Sequence, residues 1–414
     1  MLNWRSCAER GLRGGTRYLV ALSTLLVSLA LPKSAWAIPA FARAYEVPCS
    51  TCHITITRRG EFGDAFRRGG YHWPGDPSAD SEVRKEKPIA MQGVAPLTTQ
   101  LPARVPISLA ARIAGTYSTD PSLPDELNLG SPSFNFLFGG ALGENASFFG
   151  TWAGSGAPNE LYLHFARLAG GPELNLRIGK FEQWSTMFKN NEALINTFQL
   201  TTSAINGYSV GVGRTGGELN GIVAKRGFWA AGIVQNDAVP GAHFDAYYHL
   251  GLKIGGMDFL GNEPDIDFDA EPSALDDFSA TLATWGYWGE VRDADATPTQ
   301  EIRRLGLEAK IYFKLISLWT GWMAGFDNDL TLVGDSRSES STVFGELSYP
   351  VTSWFLPIYL YQYQDASSFN KATQQHDIGA LFLPYENIRV RAKFTAKDND
   401  MKDEVAELQI LFGL

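Results

Sequence analysis

From about Val105 to the final residue, Leu414, apolar and polar residues alternate in segment after segment, and this constrains the chain more than any other feature. Leu305, Leu307, Ala309, Ile311 and Phe313 alternate with Arg304, Gly306, Glu308, Lys310 and Tyr312. Leu174, Leu176 and Ile178 alternate with Glu173, Asn175, Arg177 and Gly179; Ile388, Val390, Ala392 and Phe394 alternate with Arg389, Arg391, Lys393 and Thr395. Successive side chains of a strand point to opposite faces, so this period of two gives each strand one apolar face. Roughly sixteen or seventeen such segments follow one another, each of about ten residues, the length of a strand that crosses a membrane.

Alternation does not say which face is inside, because a soluble β-sandwich repeats in the same way. Here the polar faces are dense in Arg, Lys and Glu, as a wet lumen requires. Aromatic residues such as Tyr359, Tyr361 and Tyr363 suit the girdles at the two membrane interfaces. Leu408, Ile410, Phe412 and Leu414 carry the pattern to the last residue, as in the terminal strand of many outer-membrane barrels, although those usually end in Phe. The expected fold is mainly β. A small N-terminal segment, mostly coil plus a short helix, precedes an antiparallel transmembrane β-barrel over residues 101–414. Bacterial barrels take even strand numbers, so about sixteen strands are expected, with eighteen next.

The chain opens with Arg5, Arg10, Arg13 and Arg17, then the short apolar run Tyr18 to Leu31, then Ala35-Trp36-Ala37. This is the layout of a signal peptide over residues 1–37, and the run is shorter than the ~20 residues of a spanning helix. Export in a Gram-negative-type setting follows. The net charge of −10 becomes more acidic once this basic leader is removed, which excludes nucleic acid as a partner.

Cleavage also removes Cys7, leaving Cys49 and Cys52 out of the 3 cysteines. They stand in Cys49-Ser50-Thr51-Cys52-His53, the attachment pattern of a c-type haem. Each thiol adds to one vinyl group of the porphyrin, and the adjacent His53 lies under the iron as its axial ligand. A dithiol redox site has no use for the histidine, a zinc site wants two more nearby ligands, and a disulfide here closes only a tiny loop. Residues 38–100 are therefore read as a haem segment and linker. Arg58 to Arg68 reads as a helix stopped by Gly69-Gly70, with Phe62 and Phe66 packing on the haem; Asp76 to Lys87 reads as the exposed linker. So small a segment does not bury a haem well by itself and should dock on something.

The runs Ile38-Pro39-Ala40-Phe41-Ala42-Arg43, Pro48-Cys49-Ser50-Thr51-Cys52-His53 and Phe62-Gly63-Asp64-Ala65-Phe66-Arg67-Arg68-Gly69-Gly70-Tyr71 resemble the N-terminus of fused mono-haem cytochrome–porins. The best-known members of that group are outer-membrane iron oxidases. The specific likeness ends with these runs; beyond them only the architecture corresponds. It implies one covalent haem c on Cys49, Cys52 and His53, a barrel in the outer membrane, and electrons passing between the outside and periplasmic carriers.

The expected function is an electron conduit between an extracellular donor or acceptor, ferrous iron among the candidates, and a periplasmic cytochrome or other soluble carrier. Lipid bilayer surrounds the barrel, and the haem segment sits on its periplasmic side or plugs its lumen. A diffusion porin with a structural or sensory haem segment is the other reading, and a soluble secreted cytochrome with a β-domain is a third. The sixth iron position is left open among His72, Met91, barrel residues such as Met187 and His164, the latter on a lumen-facing position, and no protein ligand at all. His243, His249 and His376 read as ordinary strand residues. Two loops stand out. Phe181 to Asn206 either folds inward or lies outside. Asn262 to Asp277, rich in carboxylates such as Asp265, Asp267 and Asp269, is a solvated loop or a cation collector near the outer mouth.

Overall fold

The computed structural model describes residues 40–74, 89–90, 100–101, 107–118, 127–189, 192–202, 205, 209–235, 243–263, 277–292, 298–329, 337–367, 372–385, 387–397 and 400–413, all within one compact unit, Ile38–Leu414. The leader, the linker, Met91, Leu414 and residues 264–276 of the acidic loop lie outside the described residues.

Sixteen antiparallel strands close into one barrel, from Ile107–Ser118 to Asp400–Gly413. Each pairs with its neighbour in sequence, and the last closes on the first, from Val405 opposite Ser118 to Gly413 opposite Ala110. The second strand is broken. Leu127–Leu129 and Ser133–Ala141 pair with successive parts of Ile107–Ser118, and Pro132, which has no N–H for the ladder, stands in the gap.

Burial decides which face is inside. On Pro298–Phe313, Leu305 and Leu307 are exposed outside while Arg304, Glu308 and Lys310 are buried within. On Asn175–Glu182, Ile178 is outside and Arg177 inside. A soluble sandwich buries the opposite face. Among the described residues no helix is long and apolar enough to cross a membrane. The apolar belt belongs to strands, and lipid is the medium that covers it. Aromatic residues sit toward both rims: Trp354 with Phe355 and Phe382 at one, Tyr248 with Trp288 toward the other. Tyr359, Tyr361 and Tyr363 lie on the outer face of Phe355–Ala366, where the Tyr359 hydroxyl meets His376 Nδ1 at 2.8 Å. Leu307, 55 % exposed in the middle of its strand, gives a direct test. Leu307→Arg is expected to destabilise the vesicle-embedded barrel by about 2–4 kcal/mol in a urea titration, the cost of an arginine at the bilayer midplane.

Connections at one end of the barrel are short, as at residues 142–145, 224–226 and 314–315. In bacterial barrels that end is periplasmic. The two ends of the acidic loop lie at this same end, Asn262 after the eighth strand and Asp277 before the ninth, where the Asp277 carbonyl accepts the Lys314 N–H at 3.1 Å. Asp265, Asp267 and Asp269 lie outside the described residues.

The connection after Asn175–Glu182 leaves from the other end and folds inward. Its Phe188, Leu194, Ile195 and Phe198 are fully buried, and Phe188 and Phe198 pack on Phe344 at ring distances of 4.8 and 4.4 Å. Strand side chains tether it: Glu308 accepts the Met187 N–H at 2.8 Å, Glu218 the Trp184 N–H at 3.0 Å, and Gln362 the Gln199 N–H at 2.6 Å.

Residues 40–74 fill the short-turn half of the lumen. Helix α1 (Ala40–Tyr45), which the sequence did not suggest, and helix α2 (Glu61–Arg68) share an aromatic cluster with the wall. In it Tyr71 stacks on Phe41 and on Phe149 at 5.0 and 5.1 Å, and its hydroxyl meets that of Tyr162 at 2.8 Å. Helix α2 begins at Glu61 because Arg59 is held extended in a bridge to His53. Glu61 and Asp64 in its first turn and Arg67 and Arg68 in its last complement the helix dipole.

Candidate functional site

Cys49 to His53 form a tight turn: the Cys49 carbonyl accepts the N–H groups of Cys52 at 3.2 Å and His53 at 2.9 Å. Both cysteines are thiols, half-buried, spaced three residues apart on one turn. Burial and the neighbouring Cys49, opposed by Arg59, push the Cys52 thiol up to about 11. A dithiol redox motif needs the reverse, a lowered thiol. Among the described residues no group of three His, Cys, Asp or Glu side chains is arranged to hold a metal ion. His53 Nδ1 is buried with no hydrogen-bond partner among the described residues. Burial and the Arg59 guanidinium, against the pull of Glu192 and Asp64, lower the imidazole to about 4, so it is neutral and able to ligate. This donor set fits haem c: two thiols for the thioethers and a neutral imidazole for the iron.

Helix α2 lies directly on this turn. Gly60 N–H donates to the Cys52 carbonyl at 2.9 Å, and a Cβ added at Gly63 would stand 2.1 Å from that same oxygen. Only glycine permits this approach. Gly63→Ala should cost about 1–3 kcal/mol of docking as the helix lifts off. Gly69→Ala, whose nearest backbone contact is 3.3 Å, is the mild control. Protease sensitivity of residues 40–74 reads the difference.

Salt bridges ring the segment. Lys253 pairs with Glu61 at 2.9 Å, Arg59 with Asp64 at 3.0 Å and also with Glu192, and Lys310 reaches Asp64 at 3.5 Å. Burial alone would raise the Asp64 carboxyl, but Lys310, Arg68 and Arg59 outweigh it and hold it well below the usual carboxylate range. Arg58 is buried beneath the segment, its guanidinium 3.7 Å from the Trp319 ring centre and paired with Glu346. Nothing in the sequence singled out Arg58, because its partners come from distant strands.

The other expected residues fall as follows. Phe66 joins the aromatic cluster with Phe41, Tyr45 and Tyr71, and Phe62 packs on Trp73 at 5.0 Å. Docking gives both a protein core to join. His72 is buried with Nε2 2.8 Å from the Gly143 carbonyl and Nδ1 3.3 Å from that of Gly69, so ligating iron would require one of those contacts to break. His164 faces the lumen, buried, with Nε2 unpartnered among the described residues. Met187 is buried in the inward loop, and His249 lies with it beside a cavity. His243, at the rim, faces Asp245 and Glu290 at 3.7 and 3.6 Å.

No protein-family model and no curated protein matches the chain. Solved structures do. An anion-selective porin from Comamonas acidovorans superposes with a TM-score of 0.55 at 11% identity, over 75% of this chain and 99% of that one. OmpT of Vibrio cholerae gives 0.51 at 9% identity, over 79% and 100%. The outer-membrane channel DcaP of Acinetobacter baumannii gives 0.50 at 12% identity, over 74% and 96%. Likeness at such low identity establishes the fold alone, a porin-type β-barrel.

Proposed function

We propose that the chain is an outer-membrane, porin-type barrel whose N-terminal segment carries one covalent haem c. It passes single electrons between an extracellular donor or acceptor, ferrous iron among them, and a periplasmic cytochrome or other soluble carrier. The observation that carries this reading is the Cys49–His53 turn, with paired thiols and an unpartnered imidazole nitrogen, on a segment inside the barrel. When bound, haem c supplies a one-electron iron centre. Cys49 and Cys52 would anchor it, His53 would supply an imidazole to its iron, and helix α2 braces the turn through Cys52. An apolar band of about 25 Å is a long way for an electron without a relay, and a site within the lumen shortens the path on both sides.

The likeness to porins speaks directly for a channel and says nothing of haem, so it backs the diffusion-porin reading more than the conduit. Against free diffusion stands the content of the lumen, filled at one end by residues 40–74 and farther in by the inward loop. Haem staining on a denaturing gel, a redox titration and stopped-flow mixing with ferrous iron separate the two. A stained band with a one-electron wave supports the conduit, and fast reduction by iron names the donor. A protein that conducts ions freely and shows no electron exchange with iron or a soluble carrier, stained or not, leaves the diffusion porin.

A further inference from the structure

Between helix α2 and the inward loop lies a cavity bordered on one side by Arg59, the residue bridged to His53. Its enclosed space is about 20 Å³ and is partly open. That is room for about one water-sized group, such as the oxygens of a carboxylate or phosphate entering from the open side. Arg67, Arg68 and Lys189 line it, with Asp64 as its carboxylate and Trp184 and Phe228 as apolar walls. Arg68 reaches Asp64 only at 3.9 Å and shares it with Arg59 and Lys310; Arg67 reaches Glu160 only at 3.9 Å, and its Nε is buried without a partner among the described residues. Lys189 donates to the backbone carbonyls of Glu182 and Gln183. Burial, reinforced by Arg67 and Arg177 and opposed by Glu182 and Glu160, draws its ammonium down to about 8. His249, 3% exposed, borders the same space with neither ring nitrogen hydrogen-bonded among the described residues; its Nε2 stands 3.8 Å from Glu308.

Buried cations with long, shared ion pairs are costly unless a further anion completes them. Guanidinium forks match the planar geometry of carboxylate and phosphate oxygens, and a neutral imidazole adds a donor. We propose that this cavity is an oxyanion site, in which Arg67, Arg68 and Lys189 grip a carboxylate- or phosphate-class group and His249 hydrogen-bonds it from the barrel wall. The oxyanion has two possible sources, a free solute in the lumen or a propionate of the attached haem.

Calorimetric titration of inorganic phosphate into the full-length detergent-solubilised protein, at low ionic strength and neutral pH, tests this. A free-solute site takes up one equivalent, weakened about tenfold or more in Lys189→Gln and restored by Lys189→Arg. A propionate-filled site takes up none in the wild type but one equivalent in the Cys49→Ala/Cys52→Ala variant, with the same dependence on Lys189. Should that variant fail to assemble, resonance Raman of the wild type gives the second reading: the propionate bending band shifts in Lys189→Gln. Uptake indifferent to Lys189, or no uptake together with an unshifted band, overturns the site. If the wild type carries no haem, it is itself the empty form and phosphate alone decides, so failure of the haem reading and failure of this one are distinguishable.

Discussion

Deleting residues 38–88 is expected to turn a nearly closed barrel into a conducting one, with ion conductance in planar bilayers rising at least about tenfold toward that of a water-filled pore. The intact lumen has little free path in its short-turn half. Tyr71 is wedged against Phe149, Arg58 against Trp319, and Glu61 between Lys253 and Ser279, so the segment touches the wall on several sides. The deletion leaves every barrel strand in place, because the first begins at Ile107, and heat-modifiable mobility on a gel should persist. The inward loop stays too, tethered by Glu308, Glu218 and Gln362, so the opened pore should be narrow. Unchanged conductance would mean that residues 40–74 are not what closes the barrel, and the reading of them as a plug would fail.

The barrel was legible because a strand announces itself locally: each residue's neighbours two places away share its face. Which face is wet is a property of the closed sheet, and Arg304 and Leu305 reveal it only once burial is known. The Cys49–His53 turn was legible for the same reason, since its geometry spans five residues. What escaped was long-range. The destination of the inward loop was left open, although Leu356, Ile358 and Leu360 point inward on a strand whose outer face carries Tyr359 and Tyr361. A strand apolar on both faces needs an apolar neighbour in the lumen, and Phe188 and Phe198 provide one nearby. The side on which the ends of the acidic loop lie, Asn262 and Asp277, follows from chain parity: after an even number of strands the chain is back where it entered. Helix α2 began three residues later than its apolar spacing suggested, because the bridge from Arg59 to His53 takes precedence.

Arg58→Ala is expected to weaken docking of the N-terminal segment by about 3–5 kcal/mol, the range for removing one partner of a buried ion pair. Arg58 and Glu346 are both buried, and the guanidinium also covers Trp319 and donates through Nε to the Glu192 carbonyl at 2.9 Å. Truncation leaves a carboxylate facing a cavity with no cation to answer it, so most of the loss comes from the stranded Glu346 and not from the vanished contact. The double variant Arg58→Met with Glu346→Gln separates these contributions. Methionine retains packing on the indole and the amide is uncharged, so at least half of the loss should return. Arg58→Lys should fall between, because an ammonium keeps the charge but not the planar stack or the fork. Proteolysis of residues 40–74 across a urea series reads all three variants. A single variant within about 0.5 kcal/mol of wild type, the ordinary scatter of surface substitutions, would show that the Arg58–Glu346 pair does not hold the segment.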